Sequence, residues 1–339
     1  MNKTNKIYKT TKNKVELYLK RRPHRSFRRT RRRDYKRTLI LPGYLEFNKF
    51  VSKTLWKNRN TFLLLALAYA VLTVVLVGFA SQDLYLTLKD TLNATSGNYL
   101  DGVCGEASKV GLLFITTVTG GLSQNLTEVQ QVYTVVIILL IWLTTVWLLR
   151  NIMAGHKVKL RDGLYNAGSP ILPTFLVSLL LVFQMLPLAL AFIGYSAASI
   201  TGLLNSGVET MLFWIAAGLL STISLYFMSS TLFALIIVTI PGMYPYRAIK
   251  AAGDLVVGRR MRILLRLLWM VLGVAVTWVA IMIPMILFDS WLKTILPAIN
   301  WIPLVPFTLL LLSSLTIVWV SSYIYLLYRK VVDDESKPA

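Results

Sequence analysis

Apolar residues in this chain gather into six long runs separated by polar and charged connections, instead of alternating with polar residues as on the half-buried faces of a soluble domain. The runs cover approximately residues 61–80, 132–149, 170–195, 211–240, 263–288 and 303–328. A helix needs about 20 mostly apolar residues to cross roughly 30 Å of hydrocarbon, and these runs meet that demand. The pattern predicts an all-α integral membrane protein, a six-transmembrane-helix bundle whose membrane domain occupies residues 61–330. One further apolar stretch, 110–122, is too short to span and ends in Gly120-Gly121, so it reads as either re-entrant or interfacial.

Ahead of the first run the pattern changes to a helical period. After the turn marked by Leu41-Pro42-Gly43, residues Tyr44, Phe47, Phe50, Val51 and Leu55 share one face, while Lys49, Lys53 and Lys57 recur every four residues on another. This predicts an amphipathic interfacial helix over 44–60, its apolar face set either in lipid or on the bundle. Residues 1–43 have no such period. They interleave Lys and Arg with Thr and Asn, peaking at Arg28, Arg29, Arg31, Arg32 and Arg33, and predict a disordered basic tail and linker.

Charge then orients the threading. Of 36 Lys/Arg and 15 Asp/Glu, the first 60 residues hold 20 and three, a net of +17 within the total of +21. The connection 150–169 carries Arg150, Lys157, Lys159 and Arg161; the connection 241–262 carries Arg247, Lys250, Arg259, Arg260 and Arg262. By contrast 196–210 has no Lys or Arg and 289–302 has only Lys293. The positive-inside rule therefore predicts both termini inside (N-in/C-in), with 331–339 as a cytoplasmic tail. The first apolar run begins too far from the start for a cleavable signal peptide and reads as a retained anchor; the expected location is a bacterial cytoplasmic membrane, crossed several times.

Composition narrows the chemistry. One cysteine, Cys104, and two histidines, His24 and His156, leave no disulfide within the chain and no Cys/His cluster for zinc, haem or an iron–sulfur centre. Neither G-x-x-x-x-G-K-[ST] nor H-E-x-x-H occurs. The expectation is a non-enzymatic protein with no cofactor, no metal and no catalytic residues.

Between the fourth and fifth runs, Pro241-Gly242 stops one helix and Pro245 opens another. Ala248, Ala252, Leu255 and Arg259 follow at helical spacing, with Gly258 punctuating before the fifth run. This segment resembles the signature of the glycerophosphoryl diester phosphodiesterase membrane-domain family and of related six-helix bacterial inner-membrane families of unknown function. Family members commonly have Ser where Ala252 stands, so no polar role transfers to that position. The resemblance also extends to the basic amphipathic helix before the first span, through Leu55-Trp56-Lys57. It implies a membrane domain that often precedes a soluble phosphodiesterase domain; the chain closes at Ala339 without one, so the resemblance does not imply that activity.

Ionisable residues deep in a span are the usual functional candidates, and the runs hold few. Arg266 lies about a turn into the fifth, where it can snorkel to the cytoplasmic surface. Gln184 with Pro187, a polar and kinked pair in the third run, reads either as the lining of a cavity or as helix packing. The membrane Ser and Thr residues read as packing groups. Three functions follow from different features. The first is a non-enzymatic module organising anionic inner-leaflet lipid, protein partners or a homo-oligomer, with Lys49, Lys53, Lys57 and the tail arginines as polyanion contacts. The second is a small-molecule or lipid transporter using Gln184 and Pro187. The third is nucleic-acid or ribosome tethering through the basic tail, since the same composition binds phosphate backbones by counterion release.

Overall fold

The structure, a computed structural model, describes residues 41–77, 128–200, 207–295 and 304–335. The regular elements among them are all helices: α1 Tyr44–Lys57, α2 Arg59–Leu76, α3 Glu128–Met153, α4 Leu160–Ala167, α5 Ile171–Ile200, α6 Gly207–Ile237, α7 Pro245–Val256, α8 Arg260–Ile295 and α9 Leu304–Glu335. Six of these, α2, α3, α5, α6, α8 and α9, are long and apolar enough to cross a membrane. The six-helix reading of the apolar runs holds, with shifted ends. The longest is α8, whose 36 residues rise about 54 Å at 1.5 Å per residue.

Local chemistry sets the boundaries. The Glu46 carboxylate accepts the Gly43 N–H at 3.2 Å at the start of α1, and Asp162 does the same for Lys159 N–H at 3.2 Å at the start of α4. Asn58 divides α1 from α2: its N–H donates back to Leu55 O at 3.0 Å, while its own carbonyl accepts the N–H groups of Thr61 and Phe62. The two helices therefore abut with one residue between them. Pro245 occupies the first turn of α7, where its missing N–H leaves no bond unmade. Gly258, at φ 78°, makes the left-handed turn from α7 into α8 that a side chain would oppose.

The bundle is organised around α9, which packs against α1, α2, α3, α6 and α8. Small hydroxyl residues permit the close approach. Thr144 and Thr145 of α3 and Ser321 and Ser322 of α9 are fully buried, and each returns its hydroxyl to a carbonyl one turn earlier. On α8, Trp278 is buried with Met282 against Val305 and Leu309, and its indole N–H donates to Thr316 Oγ1 at 2.9 Å. The short α4 folds back onto α3 through Gly163, where an added Cβ would stand 2.9 Å from Leu148 Cδ2. A hairpin of α5 and α6 flanks this core with α7 packed on both helices, and these two spans are the least buried of the six.

The ends of α3, α6 and α9 and the start of α8 meet at one end of the bundle. There Arg150 of α3 donates to Thr239 O at 3.0 Å and to the Thr239 hydroxyl, Phe233 of α6 stacks edge-on to Tyr328 of α9 at 5.9 Å, and Arg259 donates to Val331 O at 3.4 Å. This is the basic end. At the other, Lys293 is neutralised within its own helix by Asp289 at 2.7 Å.

Candidate functional site

The apolar face of α1 is placed on the bundle, in the groove between α8 and α9, and not in lipid. Phe47 and Val51 are completely buried. Phe47 meets Tyr323 of α9 edge-on at 4.8 Å, Tyr44 packs on Trp269 of α8 at 5.5 Å, and the Lys330 ammonium lies 5.6 Å over the Phe50 ring. Further along, Trp319 N–H reaches Ser52 at 3.5 Å.

Arg266 fastens the start of α1. A snorkelling arginine would turn its guanidinium out to water; this one is buried and donates to the carbonyls of Pro42 and of Gly43, the latter at 3.3 Å. Its charge lies 4.2 Å over the Tyr44 ring, and its own carbonyl accepts the Tyr323 hydroxyl at 3.2 Å. The snorkelling expectation is thereby corrected. The Pro42 and Gly43 carbonyls, the second of which also accepts the Phe47 N–H at 2.9 Å, hold the guanidinium inside the protein.

With the apolar face occupied, Lys49, Lys53 and Lys57 form an exposed stripe on the opposite side of α1. Leu45 and Trp56 are exposed beside them, Trp56 at 69%. Arg59 follows at the start of α2, its guanidinium 5.5 Å from the Trp56 ring. Below this stripe, between α1, α2, α8 and α9, opens a cavity of about 560 Å³. Its wall is mostly apolar, contributed by Leu55, Phe62, Leu63, Ile281, Leu312 and Leu315, and among the described residues Arg59 is the only charged one that lines it. The Asn48 amide oxygen, buried in the same wall, accepts no hydrogen bond among the described residues.

The other sequence candidates fall elsewhere. Gln184 does not line this cavity; its side-chain oxygen accepts the Thr231 hydroxyl at 2.7 Å and its backbone carbonyl accepts Ser224 at 2.7 Å. It therefore ties α5 to α6 one turn before the bend-prone Pro187, which lies inside α5. Ala248 and Ala252 are fully buried, and with Val256 form the stripe by which α7 docks; Leu255 is half-buried beside it. Gly258 and Arg259 lie just beyond the end of α7, in the turn and at the Val331 carbonyl. These five positions act together as a docking stripe and its exit. Arg28, Arg29, Arg31, Arg32 and Arg33 lie outside the described residues, as do 110–122 and Cys104.

Sequence reasoning missed the cavity and α4. The cavity joins residues from four helices spread over more than 200 positions, which no local period can show. The helix had a local signature, Asp162 three residues after Lys159 and small residues Gly163 and Ala167 four apart, hidden within a connection read for its charge. Comparison with protein-family models, with curated proteins and with solved structures finds no match for this chain. The resemblance read at α7 therefore rests on Ala248, Ala252, Leu255, Gly258 and Arg259 themselves.

Proposed function

We propose that this chain is a non-enzymatic multi-pass protein of the bacterial cytoplasmic membrane, and that its basic end faces the cytoplasm and gathers anionic lipid in the inner leaflet. The observation that carries the reading is the docking of α1. Because Phe47 and Val51 are consumed by the bundle, the lysine stripe is held outward on a fixed support. The length of α8 supplies the height: a rise of about 54 Å exceeds the roughly 30 Å of hydrocarbon, which leaves turns at its ends among the headgroups. Arg266 and Trp269, the partners of α1, belong to the first turns of α8.

Physical magnitudes favour lipid over a purely structural role for the lysines. A Lys or Arg near an anionic leaflet gains about 1 kcal/mol, falling off within a Debye length. Lys49, Lys53 and Lys57 have no ion-pair partner among the described residues, so this gain is not offset by a broken salt bridge. Exposed Leu45 and Trp56 are of the kind that settle at a membrane interface.

The test is the headgroup ratio in polymer-bounded native discs cut directly from the cell membrane. Discs around the intact protein should be richer in anionic lipid than the bulk membrane, and the Lys49→Gln/Lys53→Gln/Lys57→Gln variant should lose a large part of that excess. Discs of bulk composition around the intact protein would refute the proposal.

A further inference from the structure

We infer that the cavity between α1, α2, α8 and α9 binds one anionic phospholipid, its phosphate at Arg59 and an acyl chain in the apolar interior. This goes further than the lysine stripe and rests on the reading that the basic end lies among headgroups. The volume of about 560 Å³ falls in the range of roughly 300–1,000 Å³ typical of small-molecule sites. A free phosphate would leave most of that volume empty against Phe62, Ile281, Leu312 and Leu315, whereas a hydrocarbon chain fills it with matching contacts.

Charge complementarity selects the headgroup. Arg59 lines the cavity with an exposed side chain, and its one polar or ring partner among the described residues is the Trp56 ring. Among those residues it makes no ion pair or hydrogen bond, and none of them places a carboxylate in the cavity wall. A guanidinium in that state offers its planar fork of donors to phosphate oxygens. A choline headgroup would bring a second cation against Arg59 and the neighbouring Lys57, whereas a net-anionic headgroup would not.

The gradient along the chain also matches an amphiphile. The lysine stripe of α1 ends at Lys57, Trp56 stands at the rim, and Arg59 opens a span whose next cavity residues are Phe62 and Leu63. Over these few residues an interfacial aromatic ring and two cations, Trp56, Lys57 and Arg59, give way to apolar wall at Phe62 and Leu63, as the polar end of a lipid gives way to its chain.

The experiment is native mass spectrometry of the full chain in detergent, titrated separately with palmitoyl-oleoyl phosphatidylglycerol and with the phosphatidylcholine of the same chains. The intact protein should retain one phosphatidylglycerol at collision energies that strip all other adducts, and should not retain phosphatidylcholine. Arg59→Gln changes an exposed side chain and leaves the packing intact, and it should lower the retained fraction about ten-fold. Leu315→Trp, used once its thermal melt matches the parent's, should fill the cavity and abolish retention. The triple lysine variant should keep the one tightly held lipid while shedding the weaker adducts. Retention undiminished in Arg59→Gln, or equal for the two headgroups, overturns the inference. Loss of the tight adduct in Arg59→Gln, with weak adducts unchanged in the lysine variant, supports the cavity site and counts against the lysine stripe alone.

Discussion

Replacing Phe47 by Ala tests whether α1 is held by the bundle. The displaced helix would keep its apolar face among headgroups and acyl chains, so the transfer of Phe47 from water is largely absent from the difference. What remains is contact. The edge-on pair with Tyr323 at 4.8 Å contributes about 0.5–1.5 kcal/mol. The Arg266 guanidinium 5.9 Å from the ring adds about 0.5–1 kcal/mol. Allowing for the space left in a fully buried site, Phe47→Ala should weaken docking by about 1–3 kcal/mol, a factor of roughly 5 to 150 in the opening equilibrium. The helix is only 14 residues long and near the limit of independent stability, so undocking should unfold or fray it. Amide hydrogen exchange of the detergent-solubilised chain reads this directly. Residues 44–57 should exchange at least five-fold faster in the variant, while α3 and α9 away from Tyr323 keep their protection. Unchanged exchange over 44–57 would refute the argument that these contacts hold α1.

Other predictions follow from the packing and the threading. Gly163→Ala places a Cβ 2.9 Å from Leu148 Cδ2 and 3.3 Å from Thr144 Cγ2, both on fully buried residues; overpacking should lower stability by about 1–3 kcal/mol in a thermal melt. Gly168→Ala, with nothing within 4 Å of the added atom, is the control and should be near neutral. Arg266→Lys should also lower the melting temperature and raise exchange at the start of α1, because a single ammonium cannot reproduce the two carbonyl contacts and the stacking on Tyr44. Cys104, placed outside by the charge rule, should react with a membrane-impermeant maleimide on intact cells; protection there with reactivity in lysates would reverse the threading.

The reach of the sequence follows from the range of the interactions. Long apolar runs and Pro/Gly stops are local, and they marked the starts of the six long helices and of α7 at Pro245 within four residues, and the ends of the six within seven. The amphipathic face of α1 was equally legible, but lipid and protein offer an apolar face the same environment, so its docking on Tyr323 and Trp269 was not. Arg266 shows the same limit: its partners, the carbonyls of Pro42 and Gly43, lie more than 220 residues away in the chain. Gln184 was picked out for its polarity, and its polarity is spent on Thr231 of the neighbouring helix. The cavity at Arg59 is assembled from four helices and had no sequence signature beyond one arginine at the head of an apolar run.

Spin-labelled lipids in reconstituted membranes give the most direct measure of whether the basic end gathers anionic lipid. The fraction of motionally restricted label yields the association of phosphatidylglycerol relative to phosphatidylcholine. A preference of about five-fold is expected at low salt, equivalent to about 1 kcal/mol. That preference should collapse toward unity at 1 M salt, where the Debye length is about 3 Å, and should fall in the triple lysine variant. Equal association of the two lipids with the intact protein at low salt would contradict it.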